Sequence, residues 1–120
     1  MKNNESMEMY LETIYTLSLT SSNIHAIDIC KALNYSKPSV SRAVKLLVSN
    51  EYILVNKDGV IELTGKGLEK AKDVYERHNV FTKLFMSFGA PRELAEEDAC
   101  RVEHYISAEM FEIIKSKIGD

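Results

Sequence analysis

The chain has 120 residues, 45% of them hydrophobic and 28% charged, which suits one compact domain, or two small ones sharing a core, and excludes a disordered or fibrous protein. It has no run of about 18 apolar residues, and Met1-Lys2-Asn3-Asn4-Glu5 lacks the apolar stretch of a signal peptide, so we expect a cytoplasmic protein with no membrane span. The net charge of −3 hides a segregation: residues 1–30 carry −3, residues 31–72 carry +4 and residues 73–120 carry −4, so the middle suits an anionic partner.

In chain order, residues 7–19 predict a first helix, with Ser6 as its cap and Met7, Leu11, Ile14, Tyr15 and Leu17 or Leu19 at helical spacing. Thr20-Ser21-Ser22-Asn23 breaks it. A short helix over 26–33 buries Ile27, Ile29, Cys30 and Leu33 and stops at Asn34-Tyr35-Ser36. The next begins with Pro38 in its first turn, where a missing amide hydrogen costs nothing, and turns Val40, Ala43, Val44, Leu47 and Val48 inward. After Asn50 the period drops to two: Tyr52-Ile53-Leu54-Val55 and Val60-Ile61-Glu62-Leu63 flank Asn56-Lys57-Asp58-Gly59, a hairpin signal. Thr64-Gly65-Lys66-Gly67 opens a long helix to about Phe88, with a stripe of Leu68, Ala71, Tyr75, His78, Thr82 and Phe85, ended by Gly89-Ala90-Pro91. Helices over 92–105 and 107–118 complete the chain. Ser107 caps the last, whose apolar residues are Met110, Phe111, Ile113, Ile114 and Ile118.

Two helices joined by a tight turn and followed by a hairpin make a winged helix-turn-helix, whose second helix enters the DNA major groove. Arg42 and Lys45 are the long donors for base edges or phosphates; Ser36, Ser39 and Ser41 bond phosphate, and Pro38 packs on a thymine methyl. Lys37 stands at the helix start, and Lys57 at the wing tip adds a phosphate contact. A solvated polar face is the plain alternative, and the coincidence of helix pair, wing and local positive charge weighs against it. A DNA-binding domain this small implies a homodimer reading two half-sites about 34 Å apart.

Two cysteines, Cys30 and Cys100, form no disulfide framework. Cys100-Arg101-Val102-Glu103-His104 sets three ligand-type side chains at i, i+3 and i+4, on one face of a helix. Met9 and Glu12 repeat the i, i+3 spacing on the first helix, and His78 adds an imidazole. Taken singly, each residue reads as core packing or a solvated acid. Together they make a chelating set of mixed softness that fits iron(II), cobalt, nickel or zinc through its sulfurs, and manganese(II) through its carboxylates and imidazoles. Such a site would clamp the first helix to the C-terminal half.

In this order, Met7-Glu8-Met9-Tyr10-Leu11-Glu12-Thr13-Ile14-Tyr15, Ser36-Lys37-Pro38-Ser39-Val40-Ser41, Leu63-Thr64-Gly65-Lys66-Gly67, Arg77-His78 and Glu97-Asp98-Ala99-Cys100-Arg101-Val102-Glu103-His104 resemble the iron-dependent repressor family, the diphtheria toxin repressor and manganese transport regulator group. The resemblance covers nearly the whole chain. It implies a mostly α fold: a winged helix-turn-helix DNA-binding domain over 1–66 and a helical dimerisation and metal-binding domain over 67–120. It places the activating ligands of the iron branch on Met9, Cys100, Glu103 and His104. That branch's ancillary site matches His78 but meets Thr82 and Glu96 where it uses a glutamate and a histidine, and it also takes ligands from a C-terminal barrel, so it is expected to be incomplete. The manganese branch matches Glu12 and His78, and uses an aspartate and a glutamate where Met9 and Cys100 stand. The family contacts DNA at the positions of Ser36, Pro38, Ser39 and Arg42, and an arginine at the last favours a guanine.

The expectation is therefore a homodimeric repressor of metal uptake genes that binds a double-stranded operator when loaded with iron(II) or, second, manganese(II). The rivals are a winged-helix redox-sensing or protein-interaction module that uses Cys100 without metal, and a small metallohydrolase. An enzyme is not expected, because no His-Glu-x-x-His pair or nucleophile-base set is present.

Overall fold

The computed structural model describes residues 2–118, with side chains from Ser6 onward. The elements are α1 (Lys2–Ser18), α2 (Ala26–Leu33), α3 (Lys37–Ser49), β1 (Ile53–Val55), β2 (Ile61–Leu63), α4 (Gly65–Ser87), α5 (Arg92–Val102) and α6 (Ala108–Ile118). The chain divides into two compact units, Met1–Lys72 and Asp73–Asp120, and the boundary falls inside α4. No helix among the described residues is long and apolar enough to cross a membrane.

The first unit is built around Tyr10, Leu11 and Ile14 of α1, Ile29 and Cys30 of α2, Val40 and Leu47 of α3, Ile53 and Ile61 of the hairpin, and Ala71. Helix α1 starts before Ser6, so that serine is an exposed residue within the helix and not its cap; an outward hydroxyl does not stop a helix whose apolar face is already anchored. Helix α2 opens with the His25 amide donating to Asp28 Oδ2 at 2.8 Å. It closes on Asn34, whose left-handed backbone (φ 58°) returns its N–H to the Cys30 carbonyl. Ser36 then caps α3, accepting from the Ser39 amide at 3.3 Å. Val48 points to solvent and not inward, because Val40, Ala43, Val44 and Leu47 already fill the stripe that α3 turns to the core, and Ile27 is likewise exposed because Ile29 and Cys30 form the buried face of α2.

The hairpin pairs Ile53 with Leu63, Leu54 with Glu62 and Val55 with Ile61. Asn56 shapes its turn, its Oδ1 accepting from the amides of Asp58 and Val60, both at 2.9 Å, while Gly59 takes φ 84°. Strands of three residues do not stand alone in water, and this pair is tied down elsewhere. The Ile61 amide donates to the Ile24 carbonyl at 2.8 Å, and His25 Nε2 meets the Asp58 carbonyl at 3.2 Å. At the base, Thr64 Oγ1 donates to the Glu51 carbonyl at 2.6 Å and accepts from the Gly67 amide at 3.0 Å, capping α4. Gly67 lies against strand-entry backbone: a Cβ there would sit 1.9 Å from the Tyr52 carbonyl oxygen.

In the second unit Phe81, Ala99 and Phe111 form the core, with Val80, Leu84, Phe85, Ile106 and Ile114 around them. Lys115 ties α6 to α4 through Glu76 at 2.7 Å, and that hydrogen bond holds the Lys115 ammonium above its ordinary pKa. The inward face of α4 runs through Ala71, Val74 and Phe81, while Leu68 is exposed. Helix α5 ends at Val102, short of the expected 105. Glu103 is its C-cap, and His104 and Tyr105 form a turn. Ser107 caps α6 as its pattern predicts, accepting from the Met110 amide at 3.1 Å, but Met110 and Ile113 face solvent, since Phe111 and Ile114 suffice to seat the helix.

Candidate functional site

Helix α3 displays the side chains that the sequence assigns to DNA. Ser36, Lys37, Pro38, Ser41, Arg42 and Lys45 are exposed, Ser39 is half-buried, and Lys57 is exposed at the hairpin turn. The first turn of α3 is a hydroxyl relay: Ser36 Oγ donates to Ser39 Oγ at 3.0 Å, and Arg42 Nη2 lies 3.5 Å from the same oxygen. This places the Arg42 guanidinium beside the first turn of the helix, where a phosphate would meet a charged donor and hydroxyls. Farther along, Ser41 and Lys45 share a concavity of about 410 Å³ with Val48 and, from β1, Val55. Helix α3 and strand β1 thus share this concavity.

In the second unit the ligand atoms of Cys100, Glu103 and His104 lie within 4.8 Å of one another. Three donors around one ion at 2.0–2.3 Å stand about 3.3–3.8 Å apart in a tetrahedron, so small side-chain adjustments close the set. The early end of α5 leaves this intact, because Glu103 keeps helical backbone angles (φ −62°, ψ −23°) and carries His104 onto the same side. The side chains of Glu103 and His104 are fully buried, with His104 Nε2 3.3 Å from Glu103 Oε2. The other carboxylate oxygen accepts from His78 Nδ1 at 2.8 Å. Oε2 finds no hydrogen-bond donor among the described residues. A buried carboxylate oxygen in that state is costly, and a cation is what its geometry and charge suit. This hydrogen bond from His78 fixes the orientation of the Glu103 carboxylate.

Met9 and Glu12 belong to the first unit, three residues apart on α1 and both half-buried. The Met9 sulfur accepts from Tyr35 Oη at 3.4 Å, and Tyr35 also packs edge-on against Tyr10, ring centres 6.0 Å apart. Burial raises the pKa of the Tyr10 phenol, with the neighbouring Tyr35 and Cys30 adding to the shift. The acidic run of α5 is engaged by arginines: Arg101 pairs with Asp98 at 2.7 Å and Arg92 with Glu96 at 3.7 Å.

Arg77 is a residue whose part the sequence does not reveal beyond its membership of the Arg77-His78 motif. Its Nη1 donates to the carbonyls of Glu103 (3.3 Å) and Ile106 (3.4 Å). Nη2 pairs with Asp73 at 3.3 Å, and the guanidinium lies over the Phe111 ring, 5.6 Å from its centre. It clamps the turn that carries Glu103 and His104. The signal that could have found it is a helical cation one residue before a ligand-type histidine.

Comparison with known proteins gives a consistent result. Residues 3–61 match the family model for the iron dependent repressor N-terminal DNA binding domain, and residues 64–120 that for the iron dependent repressor metal binding and dimerisation domain. An uncharacterized HTH-type transcriptional regulator of Methanocaldococcus jannaschii, MJ0568, is 33% identical over 114 residues, which cover 92% of this chain and 90% of that protein. The diphtheria toxin repressor of Corynebacterium jeikeium is 32% identical over 107 residues, covering 88% of this chain and 45% of its own length. Among solved structures, the manganese regulator SloR superposes with a TM-score of 0.84 at 28% identity, over 93% of this chain and 53% of its own. The chain thus spans nearly all of the first of these relatives and about half of the other two.

Proposed function

Because the chain belongs to the iron-dependent repressor family, whose members are transcriptional repressors and not enzymes, we propose that it is a metal-activated repressor. In this reading it binds operator DNA as a homodimer when it holds iron(II), with manganese(II) the second candidate. The observation that carries the reading is the grouping of the Cys100, Glu103 and His104 ligand atoms within 4.8 Å of one another, with a buried Glu103 oxygen that has no hydrogen-bond donor among the described residues, in a chain that also carries a helix-turn-helix and wing. Met9 and Glu12 are the further ligands on α1, and His78, hydrogen-bonded to Glu103, is a further candidate ligand on α4. The thiolate and thioether favour iron(II) over manganese(II).

When bound, the metal supplies a fixed positive centre and a demand for several donors at once. Cys100, Glu103 and His104 meet that demand from the end of α5, and Met9 and Glu12 meet it from the helix that supports the DNA-reading unit. Arg77 holds the α5–α6 turn still while they do so. Arg42 and Lys45 then read the major groove, and Ser36, Ser39, Ser41, Lys37 and Lys57 fix the register on phosphates. The exposed apolar residues Leu94, Tyr105, Met110 and Ile113 supply the self-association surface, and two heads about 34 Å apart read an inverted repeat. A coupling of about 1–3 kcal/mol between metal and DNA gives roughly 5- to 150-fold regulation.

The test is selection of duplexes from a random pool under anaerobic conditions with iron(II), manganese(II) or chelator. Enrichment of an inverted repeat by the metal-loaded protein supports the reading. Equal retention of the same duplexes in chelator refutes metal activation. Cys100→Asp, which keeps a ligand and removes the thiol, should retain metal-dependent binding; a redox or protein-interaction module built on the thiol would lose its response.

A further inference from the structure

The turn between α2 and α3 brings a candidate metal ligand next to the recognition helix, within the first unit alone. Asn34 reverses the chain in the left-handed region, and the Tyr35 amide returns to the Cys30 carbonyl at 3.2 Å. The tyrosine is thereby fixed one residue before Ser36, the cap of α3. Its ring stands edge-on to the buried Tyr10, which sets the direction of the hydroxyl. That hydroxyl donates to Met9 Sδ at 3.4 Å. Methionine has three rotatable bonds and a weakly accepting sulfur, so a thioether at the edge of a site does not hold one position unaided. A single donor bond selects one rotamer and leaves the second sulfur lone pair open.

We propose that Tyr35 is a positioning residue: it holds the Met9 thioether ready for a soft divalent cation and links that sulfur, through the Ser36 cap, to the first turn of the recognition helix. The inference rests on the reading of Met9 as a ligand. From Met9 the path is one hydrogen bond to Tyr35, one peptide unit to Ser36, and then the Ser36, Ser39 and Arg42 relay. A pull on the sulfur is thus delivered to the side chains that meet DNA, inside one folded unit. The donor bond works as the outer shell of a metal site does, orienting a ligand it does not replace.

The test uses the full chain with zinc(II), a diamagnetic probe of the same site, measured by competition with a chelating dye and by NMR of methionine methyl groups labelled with carbon-13. Tyr35→Phe keeps the ring contact with Tyr10 and removes only the hydroxyl. It should weaken zinc binding about 5-fold, the equivalent of one hydrogen bond of about 1 kcal/mol, and shift the Met9 methyl signal in the metal-free protein. Met9→Leu should weaken binding further, and adding Tyr35→Phe to it should change nothing more. Zinc should displace the Ser36 and Ser39 amide signals in the original chain, and much less so in Tyr35→Phe. If Met9→Leu weakens zinc binding and Tyr35→Phe does not, the positioning role is overturned while the ligand reading stands. If Met9→Leu has no effect, Met9 is not a ligand and the inference falls with that assignment. If zinc leaves the Ser36 and Ser39 amides in place, the link to the recognition helix is refuted.

Discussion

Glu103→Gln should make the metal-free protein more stable and the metal response weaker. Glu103 is fully buried, one oxygen bonded to His78 at 2.8 Å and the other without a hydrogen-bond donor among the described residues. The amide is isosteric: its oxygen keeps the His78 bond, and its NH2 takes the place of Oε2, 3.3 Å from His104 Nε2, where it can donate to the imidazole. The substitution thus removes a buried charge and satisfies an orphaned atom. Such groups cost about 1–3 kcal/mol, so a gain of about 1–2 kcal/mol is expected without metal, or a rise in Tm of roughly 3–10 °C for a chain this size. With metal the order reverses. A metal at 100 times its Kd adds about 2.7 kcal/mol to the original chain, and the amide, a poor ligand without charge, forfeits most of that. Thermal unfolding by circular dichroism in chelator and in excess metal measures both. A Glu103→Gln protein that is less stable than the original in chelator, or that gains as much from metal, would refute the reasoning that the carboxylate is kept for a cation.

Three further expectations follow from other parts of the structure. Arg77→Met removes the donors to the Glu103 and Ile106 carbonyls; metal affinity should fall about tenfold in a chelator competition, with slower-exchanging amides in the 103–106 turn becoming fast. Gly67→Ala places a methyl 1.9 Å from the Tyr52 carbonyl oxygen, backbone that cannot step aside, so urea denaturation should show a loss of about 1–3 kcal/mol; an unchanged midpoint would contradict the packing described. The Tyr10 phenol titrates above its ordinary 10.0 in the folded chain, so its contribution to stability is full below pH 10 and is lost as pH rises through the folded value; Tyr10→Phe should flatten that alkaline decline in a pH series of unfolding midpoints.

The helix pair and the hairpin were legible because their signals are local. Asn34, Ser36 with Pro38, and Asp58-Gly59 each dictate backbone geometry within a few residues, and the structure places turns at the first and last and a capped helix start at the second. The grouping of Cys100, Glu103 and His104 at the end of α5 was legible from spacing, since residues three and four apart share a side even where the helix gives way to a turn. Element ends and exposed faces were not. Ser6 carries a cap's chemistry, but a helix that continues through it makes the cap redundant. Val48 and Ile113 have core-like side chains, and only the three-dimensional filling of the stripe by their neighbours leaves them outside. Arg77 and Tyr35 escaped the site assignment because their partners are 26 residues away in each case, a separation that no periodicity encodes.

The hairpin is fastened at both ends, by Thr64 and Gly67 at its base and by His25 and Ile24 at its far side. A loop clipped in this manner has surrendered its freedom before any partner arrives. If the hairpin docks onto a phosphate strand through Lys57, doing so would incur little ordering entropy, and loosening the clip behind it, as His25→Ala would, should shorten the lifetime of the complex although the Lys57 side chain itself is unchanged.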